Sequence, residues 1–272
     1  MSSILRVAAI QMTSGTSWTD NLKSATDLVG LAHEAGAQVV LLPEYFCLMG
    51  QQDDDKVKIR EAFAQGPIQD AMSQLAQEHG VYLVSGTIPL LAEQANKVRN
   101  SSLVFDPCGK IIARYDKIHL FGFHHEKEHY DESSTIEAGS EVCRFEIEIA
   151  GQAWSFGLSI CYDLRFPELY RQLGAVDCHL IPAAFTYTTG KAHWETLLKA
   201  RAIENQCYVL ASGQSGKHQN GRNTWGQSIL IDPWGNTVDE LKDGYGIVCA
   251  DLDKNLISEI RSKLPALQHR VL

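Results

Sequence analysis

The 272-residue sequence contains no run of about 18 apolar residues, the length a membrane-spanning helix requires. Its seven cysteines are odd in number and form no Cys-x-x-Cys pair, which fits neither a disulfide framework nor a zinc ribbon. Positive charge is also short: 24 basic against 33 acidic residues give a net charge of -9, and no Lys/Arg cluster breaks the trend. Such a surface repels phosphate backbones and anionic lipid, so neither nucleic acid nor a membrane is expected as a partner. No Gly-x-x-x-x-Gly-Lys-Ser/Thr loop is present to cradle a nucleotide phosphate. Gly-x-Ser-x-Gly is missing too, since Gly157-Leu158-Ser159-Ile160-Cys161 lacks the second glycine of a nucleophile elbow. No basic segment precedes the first apolar run, and Arg6 interrupts that run. The N-terminus therefore reads as a strand rather than a signal peptide, and the expected location is cytoplasmic.

What is present is ordinary globular material, 44% hydrophobic and 21% charged, enough for a sizeable core. Strand-like and helix-like segments alternate, which points to an α/β fold. Ile4 to Met12 reads as a strand, followed by a helix capped by Ser17 or Thr19 and stopped near Gly36. Gln38 to Leu42 and Val81 to Ser85 read as strands flanking a helix near Ile68 to Glu78, and Ser102 to Tyr115 as a β-hairpin turning at Asp106-Pro107-Cys108-Gly109. A polar loop, a strand ending at Cys161, a helix from Glu168 to Leu173, a strand into Pro182, a helix from Ala192 to Asn205 and further strands complete the chain. With no low-complexity linker, residues 1–272 read as one domain.

A faint duplication runs through this order. Ser102-Leu-Val-Phe-Asp106-Pro-Cys-Gly109 recurs as Ser228-Ile-Leu-Ile-Asp232-Pro-Trp-Gly235, and the segment Gly36 to Pro43 recurs as Gly174 to Pro182. Two such halves, with strands too uniformly apolar to face water, would bury their sheets against each other and cover the outer faces with helices. The expected fold is a four-layer α-β-β-α sandwich with an internal pseudo-two-fold.

One motif match is a decoy. His125-Glu126-Lys127-Glu128-His129 satisfies the His-Glu-x-x-His pattern of zinc peptidases, which needs both histidines on one face of a buried helix. The surrounding residues carry no apolar helical stripe, so a polar loop is the better reading and no metal is expected. The polar residues that end apolar runs are more informative. Glu44 follows Val39-Val40-Leu41-Leu42-Pro43, Cys161 follows Phe156-Gly157-Leu158-Ser159-Ile160, and Lys117 follows the second hairpin strand. Carboxyl ends of strands are where α/β sheets hold ligands. A cysteine thiol is mostly protonated at neutral pH, so a nucleophilic one needs a base or a nearby cation. Glu44 and Lys117 would supply one of each.

Three blocks, Leu41-Leu-Pro-Glu44-Tyr45, Tyr115-Asp-Lys117-Ile-His-Leu-Phe121 and Ser159-Ile-Cys161-Tyr-Asp-Leu-Arg165-Phe-Pro-Glu168-Leu, together resemble the signature blocks of the nitrilase (carbon-nitrogen hydrolase) superfamily, in its order. That resemblance implies the same α-β-β-α fold, with Glu44 as general base, Lys117 as oxyanion stabiliser and Cys161 as nucleophile. Glu132 is similar to a second glutamate that many members place before a Pro-Gly, although Ala138 stands here where the proline is expected. The blocks around Phe185 to Trp194, Leu198 to Asn205, Thr224-Trp-Gly and Leu264 to Arg270 are most similar to the deaminated glutathione amidase branch, with ω-amidase a near relative.

The implied reaction is hydrolysis of a small linear amide through a cysteine thioester, with no cofactor. The backbone N–H of Tyr162 would join Lys117 at the oxyanion. Arg165 could bind a substrate carboxylate or form an ion pair with Glu168 or Asp163, and both readings stand. Tyr45, Thr186 and Thr189 are expected to line the pocket. His193, Trp194 and Arg201 are expected to pack within their helix. The resemblance also implies a homodimer or larger homo-oligomer. The alternatives are an ω-amidase releasing ammonia from small α-keto-acid amides, a zinc peptidase using His125 and His129, and a non-catalytic scaffold.

Overall fold

The computed structural model describes residues 3–125 and 128–271, with side chains at 125–129 left out of the description. The first half of the chain runs β1 (Ile4–Gln11), α1 (Trp18–Glu34), β2 (Val39–Leu41), α2 (Asp55–Lys58), α3 (Pro67–His79), β3 (Tyr82–Val84), β4 (Ile88–Leu91), β5 (Val98–Phe105) and β6 (Ile111–Asp116). A hairpin of β7 (Gly122–His125) and β8 (Glu128–Asp131) follows. The second half continues with β9 (Cys143–Ile149), β10 (Gln152–Leu158), α4 (Pro167–Leu173), β11 (Cys178–Ala183), α5 (Tyr187–Asn205) and β12 (Tyr208–Gly213). It closes with β13 (Ser215–Lys217), β14 (Asn223–Trp225), β15 (Ser228–Ile231), β16 (Thr237–Leu241), β17 (Gly246–Asp253) and α6 (Lys254–Lys263).

Two large sheets result. One has the order β17-β1-β2-β3-β5-β4 with β6 also paired to β5, and the other β16-β15-β12-β11-β10-β9. Within the first, β1, β2 and β3 are parallel neighbours and β5 and β6 are antiparallel. The second repeats this pattern in β10, β11, β12, β15 and β16. Even the irregularities match, because the register shifts between Val104 and Phe105 in one half and between Leu230 and Ile231 in the other. The two Asp-Pro-x-Gly turns are built alike: Asp106 Oδ1 accepts the N–H groups of Cys108 and Lys110, and Asp232 Oδ1 those of Trp234 and Asn236. The expected pseudo-two-fold is thus present in these five strands of each sheet, while β4 has no counterpart in the second.

Alternation along the strands sets the layers. On β1, Leu5, Val7 and Ala9 enter the core between the sheets, where they meet Phe156, Leu180, Leu210 and Leu230 of the second sheet. Ala8, Ile10 and Met12 face the other way, joining Leu28, Val29, Met72 and Leu75 of α1 and α3. Helices α4 and α5 contribute Leu169, Leu173, Trp194 and Leu198 beside the second sheet. The order is helix, sheet, sheet, helix. No helix among the described residues is long and apolar enough to cross a membrane.

Three expectations need correction. The strand read as ending at Cys161 stops at Leu158, and Cys161 opens a 3-10 turn. The last long helix begins at Tyr187, not Ala192, because Thr186 caps it and accepts a hydrogen bond from the Thr189 N–H. The stretch read as a polar loop carries the β7–β8 hairpin, in which His124 stands opposite His129 and His125 opposite Glu128.

Candidate active site

Glu44 stands just past β2. The Leu42 N–H still bonds the Val84 carbonyl, and Pro43, which has no N–H, ends the ladder. Gly86 permits this approach: a Cβ there would lie 2.0 Å from the Pro43 carbonyl oxygen, so only glycine lets the end of β3 sit so close. The Glu44 carboxylate, 1% exposed, is then surrounded by donors. Its Oε1 accepts from Lys117 Nζ at 2.8 Å and Asn100 Nδ2 at 3.0 Å, and its Oε2 from the Ala184 N–H at 3.0 Å.

Lys117 follows β6 and is fully buried. Its backbone is held by N–H donation to the Asn100 carbonyl and by the Gly139 N–H at its own carbonyl. Glu132, in the 3-10 turn Glu132–Ser134, reaches the same ammonium at 2.8 Å. The Glu132 carboxylate also accepts from Tyr45 OH at 2.8 Å and from the Phe121 N–H at 2.7 Å. With Ala138 in place of the expected proline, Gly139 still docks on Lys117 through its own N–H.

Cys161 sits at φ +48, a left-handed conformation that costs a non-glycine residue about 1–2 kcal/mol. The sharp turn after β10 is therefore made without the glycines of a Gly-x-Ser-x-Gly pattern. Asp163, fully buried, holds it: Oδ2 accepts from the Ile160 N–H at 2.9 Å and Tyr115 OH at 2.7 Å, and Oδ1 from the His119 N–H at 2.9 Å. Tyr115 and His119 flank Lys117 in the chain, so this one carboxylate ties the cysteine turn to the lysine strand. The Cys161 thiol lines the same recess as the Glu44 carboxylate and Ala184.

The charges decide the resting protonation. Burial pushes the Cys161 thiol well above its ordinary value, and the Glu44 carboxylate adds to this more than Lys117 offsets. Burial also raises Glu44 above the usual carboxylate range, with Lys117 pulling it back. Burial opposes the Lys117 ammonium, yet Glu132 and Glu44 together hold it well above an ordinary lysine. Glu132 is likewise disfavoured by burial but held below its usual value by Lys117 and its donors. Two carboxylates already outnumber one ammonium, so a thiolate would add a second unbalanced negative charge. The resting sulfur is held as a neutral thiol, so an attack by it needs a neighbouring group to take its proton.

Two recesses meet at Cys161 and share Phe121, Ala184 and Thr186. Thr189, Tyr162 and Arg165 line the second recess, and Tyr45, Glu44 and Glu132 the first. Among the described residues Arg165 pairs with neither Glu168 nor Asp163. Its guanidinium lies 5.5 Å from the Phe185 ring centre and 5.8 Å from that of Tyr162, and contacts His193 Nδ1 at 3.3 Å. The structural ion pair is thereby corrected: Asp163 is committed to Tyr115, Ile160 and His119. His193, expected only to pack, instead touches Arg165, whereas Trp194 and Arg201 do anchor the helix, on the Gln227 and Leu164 carbonyls. Lys56 and Arg222 in the first recess were not foreseen. Lys56 closes an Asp53-Asp54-Asp55 run and reads as solvated, and nothing local sets Arg222 apart.

His-Glu-x-x-His does not form the helical pair a zinc peptidase needs, since its backbone belongs to a β-hairpin. The side chains of His125 and His129 lie outside the described residues. His119 is accounted for by Asp163 and by stacking on Phe166 at 3.7 Å. The β7–β8 hairpin supplies Tyr130 and Asp131 to the first recess, beside Phe121.

Comparison with known proteins agrees with this geometry. The carbon-nitrogen hydrolase family matches residues 6–262. The deaminated glutathione amidase of Synechocystis is 40% identical over 269 residues, covering 97% of each chain. That of Homo sapiens is 35% identical over 271 residues, 97% of this chain and 81% of its own. Among solved structures, Nit3 of Saccharomyces cerevisiae, a member of branch 10 of the nitrilase superfamily, superposes with a TM-score of 0.85 at 31% identity, covering 98% of this chain and 97% of that one. An amidase from Nesterenkonia superposes at 0.77 with 25% identity over 96% of this chain and 95% of its own. The acetamide moiety of fluoroacetamide is covalently added at that amidase's active site cysteine.

Proposed function

The chain belongs to the carbon-nitrogen hydrolase family, and from that premise we propose that it hydrolyses deaminated glutathione, releasing cysteinylglycine, with Cys161, Glu44 and Lys117 as the catalytic residues. The observation that carries this reading is the buried contact of Glu44 with Lys117 at 2.8 Å beside the Cys161 thiol.

In the proposed cycle the thiol proton passes to Glu44 as Cys161 Sγ bonds to the amide carbon. The oxyanion is met by the Lys117 ammonium and the backbone N–H of Tyr162, second residue of the 3-10 turn that Cys161 opens. Glu44 returns the proton to the nitrogen, the C–N bond breaks, and the amine leaves. Glu44 then takes a proton from water as its oxygen attacks the thioester carbon, and the departing sulfur is reprotonated. Glu132 positions Lys117. Asn100 and the Ala184 N–H keep Glu44 oriented.

Arg165 takes the α-keto-acid carboxylate of the acyl group, since a guanidinium fork over two aromatic rings suits a planar anion. Tyr45, Tyr162, Thr186 and Thr189 shape the walls. Residues 1–272 act as one carbon-nitrogen hydrolase domain, supported by the single core shared by both sheets. The seven cysteines, none in a disulfide, support a cytoplasmic setting, and Leu264 and Val271, exposed beyond α6, a homo-oligomer.

Brief exposure to deaminated glutathione followed by intact-mass measurement tests the reading. The expected mass gain is that of the 2-oxoglutaryl group on Cys161, with cysteinylglycine in solution. An unchanged mass together with no turnover rejects it. Faster ammonia release from small α-keto-acid amides than cysteinylglycine release would favour the ω-amidase reading.

A further inference from the structure

The cavity holds cationic side chains that the chemistry at Cys161 does not use. Lys56, on α2, points its ammonium to Thr135 Oγ1 at 3.1 Å and the Asp53 carbonyl at 2.6 Å, and lies 5.9 Å from the Tyr45 ring centre. Burial lowers its pKa, so its charge is poorly hydrated. Arg222 pairs with the Asp53 carboxylate and lies 5.3 Å from the Tyr130 ring centre. Both line the recess that contains Glu44 and Glu132, whereas Arg165 lines the other. Asp131 shares the first recess, with its Oδ1 committed to the Ser133 N–H and hydroxyl.

The positions relative to Glu44 assign the two recesses. Glu44 protonates the departing nitrogen, so the amine portion leaves on the side where Glu44 is exposed to the cavity. That is the side of Lys56 and Arg222. A substrate with a carboxylate at each end needs a cation in each recess, and a leaving dipeptide reaches at most about 7 Å from the broken bond, so its carboxylate stays inside the same cavity.

We propose that Lys56 and Arg222 form a carboxylate subsite for the leaving amine, so that the enzyme selects linear amides whose amine portion ends in a carboxylate. This rests on the amidase reading above and adds a specificity to it. A guanidinium beside an aromatic ring provides the fork, and the half-dehydrated ammonium strengthens the local field.

The test compares deaminated glutathione with its C-terminal carboxamide and with the amide that releases ammonia, using wild type, Arg222→Met and Lys56→Met. Wild type should prefer the carboxylate over the carboxamide by roughly 10- to 100-fold in kcat/KM, mostly through KM. Arg222→Met should lose roughly 10-fold or more on the carboxylate, and on the carboxamide the two enzymes should converge. Asp53→Asn, which removes the counter-charge, should lower KM for the carboxylate alone. Equal losses on carboxylate and carboxamide, or a wild type blind to the difference, overturn the subsite while leaving the amidase reading intact. A wild type that cleaves none of the three amides overturns that reading and the subsite with it.

Discussion

Position for position, the first half of the chain holds Met12, Glu44 and Lys117 where the second holds Cys161, Ala183 and Asp243. The register fixes these pairs: Gln38 bridges Arg6 and Tyr82 through its backbone as Asp177 bridges Ser155 and Tyr208, and the β5–β6 pairing repeats in β15–β16. Each pair has one member of the proposed catalytic set. Met12 and Ala183 are buried at 1% exposure as plain core, and Asp243 is exposed. The symmetric frame therefore offers two equivalent sets of strand ends, and the chain loads only one. A second buried set of carboxylates and ammonium would carry another desolvation cost with no substrate to compensate it.

The comparison is broken most sharply by Cys161→Ala, expected to lower kcat by at least about 10⁴-fold. Its counterpart Met12→Leu should leave turnover near wild type and cost under about 1.5 kcal/mol, because the volumes match; steady-state assays and urea unfolding read both. Next comes Lys117→Met, which strands two buried carboxylates together. A loss of about 3–5 kcal/mol of stability and roughly 10²- to 10³-fold in kcat is expected.

The pH profile sharpens the same asymmetry. As the proposed base, Glu44 must be unprotonated to accept the thiol proton, and burial raises its pKa above the ordinary value of 4.5. The rate should thus fall on the acid side with an apparent pKa above 4.5, and this limb should be absent from the residual activity of Glu44→Gln. An acid limb at the ordinary glutamate value would remove Glu44 from the role of base.

Asp163→Asn should act through position. Losing the charge that holds the Ile160 and His119 N–H groups is expected to cost about 1–3 kcal/mol and roughly 10- to 100-fold in kcat, with little change in KM. The smallest effects belong to the duplicated turns. Asp106→Ala and Asp232→Ala each remove an acceptor of two backbone N–H groups and should each cost about 1 kcal/mol. Unequal costs, measured by thermal unfolding, would show that the two halves carry different loads despite their common register.

Much of the frame was legible because it depends on short-range patterns. Ser17 and Gly36 mark the ends of the first helix, the Asp-Pro-x-Gly turns mark hairpins, and apolar runs mark buried strands. Glu44, Lys117 and Cys161 stood out as polar residues ending apolar strands, but that they share one cavity came from resemblance to a family. Asn100, Asp163, Lys56 and Arg222 were missed. Asp163 reads as an acid opening the next helix, and Lys56 as one more solvated charge beside three aspartates.

The sequence by itself determined the alternation of strands and helices, the repeat, and the residues able to act as base, cation and nucleophile, because periodicity and side-chain chemistry are local properties. Only the tertiary structure decided which strand ends meet, that a cysteine holds a left-handed turn without glycine, and which charges are stripped of water. Those outcomes depend on contacts between residues far apart in the chain and on burial, which no local window of sequence contains.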